Sequence, residues 1–232
     1  MSSDVVYGRR AVREALRGRR EVLEIHATER ALHAEPWLRE RARVRVEPER
    51  VLNDLAGTRD HQGVVARAEP FRYADAYELA AVEEPLLACL DRVTDPRNLG
   101  AAIRSAEGAG ATGLVVPEHR SARITPVVCR ASAGAAEHLP VAVVPNLARY
   151  LNDVKRRDLW LYAADVGGAA MWDADLSGGV ALVLGAEGKG LRPLVRRTCD
   201  AAVSIPLAGH VESLNVSVAA ALLLYEAQRQ RA

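Results

Sequence analysis

Residues 86–104 read LLACLDRVTDPRNLGAAIR, which is an apolar run, a turn and a helical stretch in succession. The same order recurs towards the C-terminus. Apolar runs that predict strands lie at 86–90, 113–116, 141–144, 159–163, 180–184 and 202–205. Near-continuous apolar strands separated by helices are typical of a parallel sheet covered on both faces. The sequence therefore predicts an α/β domain with a parallel sheet over residues 85–232.

The N-terminal part of the chain has a different character. Residues 1–70 contain 14 arginines against 12 acidic residues. Helices are predicted at 8–16, 34–41 and 51–55, and short strands at 22–26, 44–46 and 63–66. We expect a small α/β domain over 1–70, followed by an acidic linker over 71–84 that can hold a short helix.

Composition limits the class of protein. The chain has 232 residues, 49% hydrophobic and 26% charged, as an ordinary globular protein does. Cys89, Cys129 and Cys199 are widely spaced, so neither a disulfide framework nor a metal site is expected. Because no export signal or membrane span is evident either, we expect a cytoplasmic protein.

The basic residues are almost all arginine. The net charge is only +1, and of 31 basic residues only Lys155 and Lys189 are lysine. Arginine suits bidentate contacts with phosphate, so the composition is compatible with RNA or a nucleotide as partner. A GC-rich genome would give the same excess whatever the function.

Two loops that follow predicted strands carry unusual residues. In the first, Asp95 and Asn98 read either as caps of a helix starting near residue 99 or as site residues, and Arg104 is placed to reach back towards the loop. The second, 185–190, reads GAEGKG. It matches neither the dinucleotide-binding fingerprint nor a Walker loop, and a glycine-rich loop is often only a turn. Glu187 between glycines favours a site.

A third segment precedes the last helix, predicted over 214–231. Ser213 reads as the N-cap of that helix, which would place Asn215 and Ser217 inside an otherwise apolar helix. Unpaired polar groups there would be costly, so a partner is expected for both. A helix that is apolar nearly all round is buried under the sheet or in a subunit interface.

These segments together resemble a known family. DPRNLGAAIRSAE, VLGAEGKGLR and SIPLAGHVESLNVSVAAALLLYEAQRQR are similar, in order and separation, to three motifs of the SpoU-type (SPOUT superfamily) 2′-O-ribose RNA methyltransferases. VYGRRAVREAL and HQGVVAR resemble the N-terminal substrate-binding domain of its RlmB branch, which methylates guanosine in 23S ribosomal RNA.

The resemblance implies a deep trefoil knot in the C-terminal domain and an N-terminal domain like ribosomal protein L30e. It implies S-adenosylmethionine as cofactor, no metal, a homodimer, and RNA as partner. By motif matching, the cofactor contacts are Gly185, Ile205, Leu207 and Leu214, where the glycine would let the cofactor approach the backbone. The catalytic residues by the same matching are Arg104, Asn98, Glu187, Ser213 and Asn215.

The alternatives come from other substrates and other classes. The first alternative is a tRNA or antibiotic-resistance ribosomal RNA methyltransferase of the same family. An RNA-binding module without turnover would be expected to lose Arg104, Asn98 or Glu187, which are all present. An NAD-binding enzyme lacks its glycine fingerprint here. The target nucleotide and the proton acceptor are left open.

Overall fold

The computed structural model describes residues 3–40, 44–155 and 158–232. The strands of these residues are β1 (Asp4–Tyr7), β2 (Val22–Ala27), β3 (Val44–Val46), β4 (Val64–Ala68), β5 (Leu86–Asp91), β6 (Gly113–Pro117), β7 (Val141–Val144), β8 (Leu159–Ala170), β9 (Gly179–Gly185) and β10 (Ala201–Ser204). The helices are α1 (Arg9–Ala15), α2 (Glu29–Ala34), α3 (Pro36–Arg39), α4 (Glu49–Ala56), α5 (Ala76–Ala81), α6 (Pro96–Gly108), α7 (Pro126–Ala131), α8 (Leu147–Val154), α9 (Pro193–Thr198) and α10 (Val216–Arg231).

The chain forms two compact units. The N-terminal unit comprises the described part of Met1–Arg72 together with Ile124–His138, and the C-terminal unit comprises Tyr73–Arg123 and the described part of Leu139–Ala232. The N-terminal unit is therefore discontinuous, because the segment Ile124–His138 lies in sequence between β6 and β7 of the other unit. No pattern in the sequence indicates that Ile124–His138 belongs to the N-terminal unit.

The N-terminal unit is built on a four-stranded sheet of order β1-β4-β2-β3. Strand β4 runs antiparallel to β1 and β2, and β3 runs parallel to β2. Its core contains Val12, Ile25 and Leu38, and it also includes Cys129 from α7. The segment Ile124–His138 is thus part of this core.

A buried ion pair joins the two segments of the N-terminal unit. Arg20 donates from Nη2 to Glu137 Oε1 at 2.7 Å and from Nε to Glu137 Oε2 at 2.9 Å. The two side chains are 6% and 1% exposed. Arg20 also reaches Asp4 at 3.2 Å. Because removing one member of a buried pair leaves the other charge without compensation, the pair requires that both segments be present.

The C-terminal unit has a six-stranded parallel sheet of order β10-β8-β9-β5-β6-β7. The predicted α/β class and the parallel sheet are confirmed. Every residue of β5 is buried, as a strand in the middle of a doubly covered sheet requires. Helix α5, within the region predicted as a linker, packs Ala76 and Leu79 into this unit's core.

The predicted helix at 34–41 is wrong in its bounds. Thr28 caps α2 through a 3.2 Å bond from Ala31 N, and α2 ends at Ala34. Glu35 is extended because a residue before proline avoids the helical region, and Pro36 then starts α3. Arg41 lies outside the described residues.

The last helix also differs from its prediction. It begins at Val216, and the cap is Asn215, whose Oδ1 accepts from Ser217 N at 2.9 Å. Ser213 is therefore not the N-cap, and Asn215 precedes the helix. One face of α10 is buried, whereas Val218, Leu222 and Tyr225 on it are between 39% and 49% exposed. Within the described residues, no helix combines the length and the apolar character that a bilayer span needs.

Candidate active site

The candidate site lies at the carboxyl ends of β9 and β5. These strands are neighbours in register, with Leu90 opposite Leu184 and Asp91 opposite Gly185. The loops that follow them therefore start side by side. In an open parallel sheet this edge is where ligands bind.

Three residues predicted from the sequence meet here. Asn215 Nδ2 donates to Asn98 Oδ1 at 3.0 Å and to Glu187 Oε2 at 3.3 Å. Asn215 Oδ1 accepts from the backbone and the hydroxyl of Ser217. Both ends of the Asn215 amide are thus engaged, which fixes its orientation and draws the loops after β5 and β9 to the start of α10. The partners that the sequence required for Asn215 and Ser217 are found in these bonds.

The prediction that Asp95 and Asn98 cap a helix is correct for Asp95 only. Asp95 is the N-cap of α6 and accepts from Arg97 N at 2.7 Å. Asn98 is not a cap, since its side chain faces Asn215. The role of Asn98 as a site residue stays a prediction.

Arg104 and Ser213 are not hydrogen-bonded into the cluster. Arg104 is exposed on α6, six residues after Asn98 and so about 9 Å further along the helix. Side chains of a helix tilt towards its N-terminus, which leans Arg104 towards the Asn98 end. Ser213 is exposed and lines the adjoining cavity.

A cavity of about 530 Å³ adjoins the cluster. Its lining includes all four residues predicted to contact the cofactor, Gly185, Ile205, Leu207 and Leu214. It also includes Glu187 and Ser213. Its size falls within the range of pockets that hold small ligands, and its wall combines apolar side chains with the backbone of a glycine-rich loop.

Glycine at 185 is required by the protein's own backbone, and its predicted role in the approach of the cofactor stays a prediction. A Cβ there would overlap the backbone carbonyl of Gly190 and the amide nitrogen of Leu191. The absent side chain makes room for the protein's own loop, which turns back over the end of β9. Gly188 and Gly190 adopt positive φ of 72° and 60° in that turn.

Sequence reasoning missed a buried carboxylate at this edge. Asp91, fully buried at the end of β5, accepts from Arg192 N at 3.0 Å and from Arg192 Nε at 2.9 Å. Arg192 Nη2 lies 2.8 Å from Asp91 Oδ1. We call residues 185–190 the glycine loop. The Asp91–Arg192 pair fixes the C-terminal end of this loop to β5. An acidic residue directly after the apolar run LLACL was the available signal, since a buried carboxylate needs a partner.

A second missed pair lines the cavity. Asp165 Oδ2 accepts from Arg196 Nε at 3.0 Å. Its pKa is lowered, first by the hydrogen bond from Gly167 N and then by Arg196. Asp165 lies in β8 beyond the predicted strand 159–163, which the structure extends to Ala170. Within the described ranges, no group of His, Cys, Asp or Glu is arranged to hold a metal ion.

Comparison with known families agrees with this geometry. The family described as "SpoU rRNA Methylase family" matches residues 85–225. A second family, "RNA 2'-O ribose methyltransferase substrate binding", matches residues 5–74. The two matches together define an RNA 2′-O-ribose methyltransferase with a separate substrate-binding unit. The chain belongs to the SpoU rRNA methylase family.

Relatives match over most of the chain. The "23S rRNA (guanosine-2'-O-)-methyltransferase RlmB" of Ralstonia nicotianae is 50% identical over 184 residues, which is 78% of this chain and 74% of the relative. The protein of that name from Vibrio cholerae is 40% identical over 100% of this chain and 98% of its own.

Solved structures show the same fold. The SpoU methyltransferase AviRb from Streptomyces viridochromogenes, in complex with AdoMet, has a TM-score of 0.83 at 31% identity and covers 99% of this chain and 90% of its own. An AdoMet-bound rRNA methyltransferase from Sinorhizobium meliloti has a TM-score of 0.79 at 27% identity, covering 98% and 87%.

S-adenosylmethionine is the cofactor of this family, and the cavity fits it. Ile205, Leu207 and Leu214 supply apolar surface for an adenine ring, while the 186–190 backbone and the Asp165 carboxylate supply polar groups. The volume of about 530 Å³ is sufficient for a ligand of that class.

Proposed function

We propose that this protein methylates the ribose 2′ oxygen of a guanosine in 23S ribosomal RNA in the cytoplasm. The observation that carries the proposal is the Asn98–Asn215–Glu187 cluster beside a cavity lined by all four predicted cofactor residues. The names of the Ralstonia and Vibrio relatives support the substrate.

The reaction needs positioning and a stabilised nucleophile. When bound, S-adenosylmethionine supplies an activated methyl group. A carbon–oxygen bond forms at the 2′ oxygen as the carbon–sulfur bond breaks, and the hydroxyl proton leaves. Placing the two reactants in line supplies much of the rate.

The proposed roles follow from the contacts. Asn215 and Asn98 hold each other and the start of α10 beside the reacting ribose. Glu187, which accepts from Asn215, orients the glycine loop. Ser213 lines the cavity wall next to it. Gly185, Ile205, Leu207 and Leu214 form the cofactor site.

Arg104 is proposed to hold the phosphate next to the target ribose and to stabilise the developing alkoxide. Its guanidinium stays protonated, since arginine does not lose its proton in proteins, and therefore it is not the base. We assign the proton to the RNA phosphate or to water. The exposed position of Arg104 on α6 leaves it accessible to RNA.

The protein is proposed to act as a homodimer through α10. Val218, Leu222 and Tyr225 lie on the exposed side of this helix at spacings of four and three residues, which forms one apolar stripe. A second copy of the stripe is its natural cover, because exposed apolar patches mark interfaces. Sedimentation of the intact protein should give a dimer, and Leu222→Lys should shift it to monomer. A wild-type monomer at micromolar concentration would contradict the proposal.

The two units divide the work in this proposal. The part of the chain up to residue 70 binds RNA, and residues 85–232 carry the cofactor and the chemistry. We also propose the trefoil knot that the family resemblance implies. It is supported by the match of residues 85–225 to the SpoU rRNA methylase family.

The decisive experiment measures transfer of a labelled methyl group to separate pools of 23S rRNA, 16S rRNA and tRNA. We expect label in 23S rRNA alone, at one guanosine that becomes resistant to alkaline cleavage on its 3′ side. Label in tRNA would favour the tRNA alternative. Tight RNA binding without any transfer would favour the non-catalytic module.

A further inference from the structure

Three arginines stand at the carboxyl ends of β5 and β6, outside the site described above. Arg92 follows β5, Arg97 lies in the first turn of α6, and Arg120 lies in the loop after β6. We call these three residues the arginine edge. Arg97 and Arg120 are exposed and Arg92 is partly exposed.

The sheet places the arginine edge directly beside the candidate site. Strand β5 lies between β9 and β6, with Cys89 opposite both Val183 and Val115. The loop after β5 therefore has the glycine loop on one side and the loop after β6 on the other. Asn98 directly follows Arg97 in α6, so the arginine edge and the candidate catalytic residues are neighbours in this helix.

The two loops that carry the arginines are fixed to each other. The carbonyl of Val93 accepts from Ala122 N at 2.9 Å and from Ser121 Oγ at 3.4 Å. The loop after β6 is further held by Glu118 N, which donates to Val144 O at 2.7 Å. These hydrogen bonds hold the two loops that carry Arg92 and Arg120 in place.

Arg92 and Arg120 also occupy an unusual backbone conformation. Their φ angles are +64° and +57°, in the left-handed region that residues with a Cβ rarely adopt. Such outliers persist where the surrounding structure holds them, and they concentrate at functional sites. Here they hold two arginines at one sheet edge.

These arginines have no acidic partner among the described residues. Four other arginines of the same unit do pair with an Asp or Glu, namely Arg149, Arg192, Arg196 and Arg229. The carboxylates nearest to Arg92 and Arg97 in sequence are already engaged. Asp91 holds Arg192, and Asp95 caps α6.

We propose that the arginine edge binds the RNA backbone that flanks the target nucleotide, so that the C-terminal unit itself positions the strand. The inference rests on the proposed function. Guanidinium groups match phosphate geometry, and phosphate contacts set the register of a strand without reading its sequence. Unpaired arginines on a supported surface next to Asn98 fit that role.

The test compares two variants in the intact protein. Arg97→Gln/Arg120→Gln removes two charges from the arginine edge. Arg229→Gln removes one charge from the far end of α10, where Arg229 pairs with Glu226. Affinity for transcribed 23S rRNA and for a short oligouridylate is measured over a range of salt concentrations, together with affinity for S-adenosylmethionine.

The double variant should bind both RNAs at least about tenfold more weakly. Its slope of log affinity against log salt should fall by about 1.4 to 1.8, because each lost phosphate contact removes 0.7 to 0.9. Cofactor affinity should stay within about twofold, and Arg97→Lys/Arg120→Lys should restore most of the slope. Arg229→Gln should match wild type.

Unchanged RNA affinity and slope in the double variant would overturn the proposal. A parallel loss of cofactor affinity would overturn it too, because the arginines would then act through the fold. Binding is read without turnover, so wild-type protein that binds RNA but fails to methylate it would count against the proposed function and leave the arginine edge measurable.

Discussion

Substitution of Arg104 should slow methyl transfer without weakening cofactor binding. Arg104→Ala removes the guanidinium proposed to stabilise the alkoxide, and it lies outside the residues that line the cavity. We expect kcat for RNA methylation to fall by about 100-fold or more, with the Kd for S-adenosylmethionine within about twofold. Arg104→Lys keeps the charge and loses the planar fork, so its kcat should lie between those of the wild type and Arg104→Ala.

Arg229→Ala is the matched control for Arg104→Ala. It also removes an exposed arginine, but from the C-terminal end of α10. Single-turnover transfer and calorimetric cofactor binding on the same preparations would separate the two effects. Arg104→Ala activity within a few-fold of wild type would remove this residue from the mechanism.

Gly185 should be intolerant of even one methyl group. A Cβ at this position overlaps the backbone of Gly190 and Leu191, which cannot move as the end of a long side chain could. Gly185→Ala should therefore displace the glycine loop and weaken S-adenosylmethionine binding by at least about tenfold.

Gly178→Ala serves as the control for Gly185, because nothing lies within 4 Å of a Cβ built there. Cofactor titration of the two variants by calorimetry, with thermal unfolding alongside, gives the comparison. Equal cofactor affinity in Gly185→Ala and wild type would show that the loop can shift without cost.

At the scale of elements, the Asp91–Arg192 pair connects β5 to the start of α9 and so holds one end of the glycine loop. Asp91→Asn leaves Arg192 without its charged partner. Arg192 is 35% exposed, so the loss in unfolding free energy should be about 2 kcal/mol, below that of a fully buried pair. Cofactor affinity should fall about tenfold because the cavity wall loses its support.

A double-mutant cycle with Arg192→Gln tests the Asp91–Arg192 coupling by urea unfolding. The double variant should lose less stability than the sum of the single variants. Arg149→Gln, at a surface pair with an N–O distance of 3.7 Å, should cost under about 0.5 kcal/mol. Additive losses at Asp91 and Arg192 would show that the pair is not coupled.

The sequence predicts most elements of the C-terminal unit because buried parallel strands are continuous apolar runs. It misses β1, since Asp4–Tyr7 alternates too briefly to show a period. It places the cap of α10 at Ser213 because a serine before an apolar run is the usual signal. Asn215 is the N-cap instead, because its amide also bonds Asn98 and Glu187, which are distant in sequence.

The candidate site is predicted by motif, whereas its supporting pairs are not. Asn98, Glu187 and Asn215 are visible as polar residues in loops. Asp91 is paired with a residue 101 positions away, and Arg20 with one 117 positions away. No local pattern carries such pairings, because they depend on which strands become neighbours.

At the scale of the whole molecule, RNA binding should depend on a cleft of about 840 Å³ in the N-terminal unit. Its lining includes His61 and both kinds of charge, namely Arg9, Arg30 and Arg59 together with Glu29, Glu47 and Glu49. The His61 ring is fixed by Asn53 Oδ1 at 3.0 Å and by Gly63 N at 2.9 Å. Burial lowers its pKa, so this imidazole is neutral near pH 7 and the arginines carry the positive charge.

Arg30→Gln/Arg59→Gln should weaken 23S rRNA binding about tenfold and lower its salt slope, with cofactor affinity unchanged. Arg67→Gln, an exposed arginine outside the cleft lining, is the matched control. Filter binding across a salt series reads both. A double variant with wild-type slope would show that the cleft does not hold RNA. Deleting residues 1–72 is a poorer test, because it strips Ile124–His138 of the core into which Cys129 packs.

The discontinuous N-terminal unit has a consequence for synthesis on the ribosome. Its first 72 residues emerge early, yet Cys129 and Glu137 complete its core and its buried ion pair. By then β5, α6 and β6 of the other unit have already been made. Arg20 therefore meets Glu137 only after more than a hundred further residues have been translated, and the N-terminal unit cannot complete its core before then. We expect a nascent chain stalled before residue 124 to remain sensitive to protease in its N-terminal unit, and one stalled well beyond residue 138 to become protected there.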